Sequence, residues 1–423
     1  MSQTGFRFVV AAVLSVVAIS DPARAEDWPR FRGPTGQGIS AEANVPLTWS
    51  ATENVAWKTP IPGEGWSSPI VAGNRVYVTT ATDEGASAHV LAIAADTGKV
   101  EWDVEVFKQK TERKETKNSY ATPTPVTDGK AVYAVFGGGG IAAVSLDGKV
   151  LWTNQDHRFY SQHGLGASPV LHKDLLIIPF DASSDGEDKK VGWQKPWDKS
   201  FVLAVETATG KVRWKGMRGS SRIAHVTPQV IDVGGKPLLV SGAGDVVQGF
   251  DPDTGERLWT VRNEGEGVVP SVVIGGGLAF TASGFGNPAI RAVRLDPAAR
   301  GEVTATHLVW EQRKAVPTMA SFLFTQGLLF TVNDKGIAQC LEAATGKVLW
   351  TQRLEGVFSA SPVLAAGRAY FLSESGETVV IEPTREFKEL ARNPLGEACQ
   401  ASPAVSNGRL FIRTQKHLFC IGK

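Results

Sequence analysis

Asp96-Thr97-Gly98-Lys99-Val100-Glu101-Trp102 is a tight turn followed by a strand that carries tryptophan, and the chain repeats it. Copies stand at Asp147-Gly148-Lys149-Val150-Leu151-Trp152, Ala208-Thr209-Gly210-Lys211-Val212-Arg213-Trp214, Asp253-Thr254-Gly255-Glu256-Arg257-Leu258-Trp259 and Ala344-Thr345-Gly346-Lys347-Val348-Leu349-Trp350. The spacing is roughly 40 to 60 residues, the length of one propeller blade. Asp or Thr bonds its own backbone, Gly takes the left-handed position, and the Trp of the following strand covers the gap to a neighbouring sheet.

A second element keeps its own phase: Ser67-Ser68-Pro69-Ile70-Val71, Thr124-Pro125-Val126, Ser168-Pro169-Val170, Thr227-Pro228-Gln229-Val230, Ser361-Pro362-Val363 and Ser402-Pro403-Ala404-Val405. These are innermost strands, where small residues fit the crowded axis and Pro sits at a strand start that needs no donor. A glycine turn and an alternating strand follow, as at Arg75-Val76-Tyr77-Val78-Thr79, and then a third strand such as His89-Val90-Leu91-Ala92-Ile93-Ala94. Cys340 and Cys420 fall at the small-residue place that Ala92 holds.

The chain ends in a third strand, His417-Leu418-Phe419-Cys420-Ile421, with no Trp strand after it. Asn54-Val55-Ala56-Trp57-Lys58-Thr59 supplies the missing fourth-strand pattern at the other end. The expected fold is therefore all-β: an eight-bladed β-propeller of four-stranded antiparallel blades, closed by an N-terminal strand that completes the C-terminal blade. Blades five and seven are degenerate, Val309-Trp310-Glu311 following a longer connection and Phe387-Lys388-Glu389-Leu390 lacking the Trp. The domain reading is a signal peptide over 1–25, a lead-in over 26–53 and the propeller over 54–423.

The leader has a basic Arg7, an apolar run over 8–20 and an Ala23-Arg24-Ala25 cleavage site. Its removal takes the formal charge from +1 to zero, without the basic excess of a nucleic-acid-binding surface. Export to a periplasm or to the exterior is the expectation, with no lipid anchor, since no cysteine stands at the cleavage site, and no membrane span. Three cysteines are too few for a disulfide scaffold. Cys399 and Cys420 either bridge within the last blade or remain buried thiols. A monomer is expected.

The repeat resembles the PQQ-like (pyrrolo-quinoline quinone) propeller family, which includes quinoprotein alcohol dehydrogenases and BamB-type outer-membrane assembly proteins. The resemblance covers nearly the whole mature chain, and Asp27-Trp28-Pro29-Arg30-Phe31-Arg32-Gly33-Pro34 looks like the lead-in of secreted members. The dehydrogenase branch implies pyrroloquinoline quinone with calcium as cofactor. That branch carries two adjacent cysteines beside the quinone, whereas the three here lie far apart.

On this fold the connections entering each innermost strand surround one mouth of the channel, where ligands bind. Long insertions decorate it at 108–117, rich in Lys and Arg, and at 183–198, and loops longer than the fold requires tend to carry function. Trp66, Lys117, Asn118, Arg222 and Glu266 are the candidate ligand-binding residues of this mouth, and His163, His225 and Tyr120 the candidates for catalysis. Arg222 and Lys117 suit a carboxylate or phosphate, the aromatics a sugar or quinone, and the histidines a general base. No metal-ligand spacing such as H-E-x-x-H is present. The favoured function is an exported non-catalytic binding or scaffolding propeller for a protein or cell-envelope ligand, with a polysaccharide or small ligand as further options. The alternative is a quinoprotein-like dehydrogenase or a carbohydrate-active enzyme acting at the mouth.

Overall fold

The computed structural model describes residues 26–422 except 112, 113, 115, 116 and 162. The leader read over 1–25 lies outside the described residues. Eight antiparallel sheets of four strands surround a central channel. Blade one runs outward through Ile70–Ala72, Arg75–Thr82, Ser87–Ala94 and Val100–Lys108, and the pattern repeats to Ala404–Ser406, Arg409–Arg413 and His417–Ile421. Val55–Pro60 then adds antiparallel to the last of these, with Trp57 opposite Cys420 and Pro60 opposite His417. The first strand of the chain therefore closes the ring, as the pattern predicts. Blade four gains a short parallel strand, Gly301–Glu302, on its outer edge.

The repeated turn and tryptophan are two halves of one joint. Trp57 Nε1 donates to the Ala95 carbonyl of the next blade at 2.8 Å, and Trp102 to Leu146, Trp152 to Thr207, Trp214 to Pro252, Trp310 to Ala343 and Trp350 to Thr384 likewise. Gly98, at φ +71°, lies so close under Trp57 that a Cβ would sit 2.6 Å from the indole. The turn glycine is thus demanded twice, by its backbone and by the ring lying on it. The third strand must also make room: Trp57 pairs with Cys420, Trp102 with Ala92 and Trp350 with Cys340. The three cysteines are buried free thiols, so Cys399 and Cys420 do not bridge. Burial pushes each thiol up to about 12.

Blade seven breaks the rule for a structural reason. The next blade has no third-to-fourth turn for a Trp to grip, because that place is the seam between the two ends of the chain. Ala391 takes the tryptophan position, opposite a larger Val380. Trp49 of the lead-in is buried in the same cluster, stacked on Tyr370 at 6.3 Å and 19°. Its backbone N–H donates to Asn393 Oδ1 at 2.9 Å.

Around the axis, one hydroxyl from each inner strand, six of the eight preceding a proline, forms a belt. Ser68 N donates to Thr124 Oγ1, Thr124 N to Ser168 Oγ and Ser168 N to Thr227 Oγ1, at 2.9–3.0 Å. Ser271, Ser321, Ser361 and Ser402 continue it, and Ser402 N returns to Ser68 Oγ at 3.0 Å. Where proline comes next, as at Pro69, Pro125, Pro169 and Pro228, no second N–H is left to satisfy at the axis.

The lead-in crosses the channel at the end opposite the mouth. Trp28 exchanges two backbone bonds with Val71, Thr127 N donates to Pro29 O, and Leu364 N donates to Gly38 O. Gln229 Nε2 reaches Gly36 O at 3.2 Å, and Ser406 Oγ reaches Glu26 O at 2.7 Å. One segment thereby ties blades on all sides of the ring together.

Candidate functional site

The polar residues expected to form one ring at the mouth separate into two hollows and an outer set. The first hollow is the axial well, about 110 Å³, whose wall includes the hydroxyl belt, Trp66, Lys117 and His225, with Phe31 of the lead-in reaching it from the far end. The second is a basin of about 210 Å³ beside blades two and three, lined by Tyr120, His163, Lys110, Lys114 and Arg158 among others. Arg222 and Glu266 line neither hollow. Arg222 Nε stands 3.8 Å from Asp245 Oδ2 and its Nη1 donates to Gly265 O, while Glu266 pairs its backbone with Phe285.

His225 stands between the two hollows. It is buried, and both ring nitrogens lack a protein partner. Its ring meets His163 edge-on at 5.9 Å. Burial, and then the neighbouring His163, push it down to about 3, so it is a neutral imidazole at physiological pH. His163 also packs 5.6 Å from Trp193, which belongs to the blade-three insertion and lies over Gly267. The insertion is folded onto the rim, with Trp197 bridged to Ser221 through the backbone.

Asn118 spends its amide on its own loop and on that of blade three. Nδ2 donates to the His163 carbonyl, and Oδ1 accepts from Ser119 N and from the Thr122 hydroxyl. It sets the height of the two loops against each other. Lys117 beside it is exposed at the lip of the well.

Charge distinguishes the basin. Among its described lining residues, Lys110, Lys114 and Arg158 are cations and no carboxylate is present. Lys114 lies 5.5 Å from the Tyr120 ring centroid, a cation over an aromatic face, and pairs with Glu64 Oε1 at 3.0 Å from outside the basin lining. His157, also in the lining, is held down by burial and by Lys215. Such a surface accepts an acidic group and a flat or apolar body together. The basic loop 108–117 announces Lys110 and Lys114, whereas Arg158 and His157 follow an ordinary outer strand and carry no sequence signal.

Pyrroloquinoline quinone is a planar, three-ring tricarboxylate held with calcium. It requires several cations, a set of oxygen ligands for the metal and a slot on the scale of roughly 300 Å³ or more. Among the described lining residues, the axial well has Lys117 as its one cation, and the basin shows no acidic ligand for calcium. Among the described residues no group of three or more His, Cys, Asp or Glu is placed to hold a metal ion. The described residues do not fit the quinone and its calcium.

Comparison with known proteins gives both branches of the resemblance. The chain is 28% identical to polyvinylalcohol dehydrogenase of a Pseudomonas species over 167 residues, which is 38% of this chain and 24% of that protein. It is 23% identical to tetrathionate hydrolase of Acidithiobacillus ferrooxidans, covering 79% of this chain and 68% of that one. The crystal structure of BamB from Moraxella catarrhalis superposes with a TM-score of 0.60 at 12% identity, covering 87% of this chain and 97% of the other, a likeness of fold. A family model described as outer membrane protein assembly factor BamB matches residues 44–155, 198–308 and 299–386. With more than half its length matched in repeats that build the ring itself, the chain belongs to this BamB-like family of PQQ-type β-propellers.

Proposed function

We propose that the chain is an exported, non-catalytic binding propeller of the periplasm or exterior, which holds an acidic protein or cell-envelope ligand in the basin beside blades two and three. The observation that carries this reading is the described lining of that basin, three cations around an aromatic floor without a carboxylate. The residues suited to chemistry support it from the other side. His225 is neutral and unpartnered, Arg222 is engaged with Asp245, and Tyr120 and His225 open into different hollows. BamB-type relatives, whose name describes an assembly factor, agree with a protein partner.

Charge reversal tests it. Lys110→Glu with Lys114→Glu is expected to abolish capture of the ligand from envelope extract in a protein that stays folded by circular dichroism, at the cost of the Lys114–Glu64 pair. Unchanged capture contradicts the basin. The competing dehydrogenase reading rests on the polyvinylalcohol dehydrogenase relative. Calorimetric titration with pyrroloquinoline quinone and calcium decides it, and saturable heat at micromolar concentration would replace our reading with that one.

A further inference from the structure

We propose that the lead-in carries a small inorganic anion of chloride size, bound by the Arg32 guanidinium at the closed end of the channel. Arg32 is 1% exposed. Its Nη2 alone serves two carbonyls, Gln37 O at 2.7 Å and Phe322 O at 2.5 Å. Nε and Nη1 are equally buried and have no acceptor in the protein. Gln37 adds a further donor: its Oε1 accepts from Ile274 N at 2.7 Å, which turns Nε2 out as a buried N–H without a partner. Two residues five positions apart therefore present three donor nitrogens and no lone pair.

No carboxylate answers them. Among the described residues Arg32 and Arg30 form no ion pair, although both lie in the segment that crosses the channel. The acids of the lead-in are used elsewhere. Glu26 accepts from Ser40 and Ala41, Asp27 from Gly73 N, and Glu42 from Asn407 and Gly408. Burial alone lowers Arg32 to about 9 and Arg30 to about 10, so both remain charged at neutral pH. A fully buried, uncompensated cation with a second, half-buried one two residues away is strongly unfavourable unless a counter-charge joins them.

The loop is packed closely around the guanidinium. A Cβ on Gly36 would sit 2.6 Å from Gln229 Oε1, and one on Gly38 would sit 2.9 Å from Arg32 Nη2. Phe31 stands between this cluster and the axial well, which its ring lines while Arg32 does not. A compact ion suits such a place, and a bulky organic acid arriving from the mouth does not. Held there, the ion would bind the lead-in to the ring.

Crystals soaked in bromide provide the direct test, with an anomalous peak expected within hydrogen-bond distance of Arg32 Nε or Nη1. In solution, the unfolding midpoint at constant ionic strength is expected to be several degrees higher in chloride or bromide than in gluconate. Gln37→Glu keeps the acceptor for Ile274 and supplies an internal carboxylate, so it should remove both the anomalous peak and the anion dependence in a folded protein. Absence of bromide at Arg32, with ordered water on Nε and Nη1, would overturn the proposal. So would an anion effect that persists unchanged in Gln37→Glu.

Discussion

On the outer wall, six tryptophans donate to the neighbouring blade at the same place, whereas at the mouth the approaches to the innermost strands carry Trp66, Asn118, His163 and Arg222, with no residue repeated. The wall is periodic because the joints reuse the same parts, an indole over a small residue and, in five of the six, a glycine turn beneath the ring. The mouth is irregular because its residues answer to different neighbours. Asn118 fastens two loops, His225 is sealed in neutral form, and Lys114 lies beside the Tyr120 ring. Repetition in this molecule marks what holds the ring, and departure from it marks what the ring presents.

The largest effect should come from breaking the wall at its seam. Deleting residues 26–58 removes the closing strand and the segment that ties the blades together, and is expected to lower the unfolding midpoint by more than about 10 °C, or to prevent soluble folding. An unchanged midpoint in a scanning calorimeter would deny the closure. Next in size is Trp49→Ala, which tests whether the lead-in tryptophan replaces the one blade seven lacks. Trp49 is 4% exposed, and its loss should cost about 3–5 kcal/mol by urea unfolding. A loss below about 1 kcal/mol would mean that blade seven stands without it.

A smaller effect sharpens the other side of the comparison. The unfolded chain takes up a proton on His225 near pH 6.5, while the folded chain resists it until about 3. Between those values the unfolded state binds more protons, so acidification lowers stability, by up to roughly 1.4 kcal/mol per pH unit from this group. His225→Gln should flatten the dependence of stability on pH over that window. A slope equal to that of the parent protein would place the ring in solvent contact.

The architecture was legible because the joint is written out along the chain: turn, strand and Trp recur in phase, and the incomplete last blade names its partner in Trp57. The small-residue reading of Cys340 and Cys420 holds for the same reason, since each lies opposite an indole. The mouth was legible only as a set of positions. Which way a loop residue turns depends on its register and on contacts with distant segments: His225, two residues before its belt hydroxyl, lines the axial well, whereas Tyr120, four before its own, lines the basin. The lead-in was harder still. Trp28, Phe31, Arg32 and Trp49 stand outside any repeat, and only their company in the folded ring gives them roles. The hydroxyl belt lies between these cases, because Ser-Pro and Thr-Pro mark most inner strands without revealing that seven of the eight backbone N–H groups reach the next blade.

Photo-crosslinking tests the binding claim most directly. A benzoylphenylalanine at Gln155, in the basin, is compared in the native host with one at Asn407, an exposed residue of the opposite face. The account predicts a discrete adduct from position 155 that disappears when Lys110 and Lys114 are both changed to Glu, and none from 407. An adduct confined to 407, or one at 155 indifferent to the charge reversal, would contradict it.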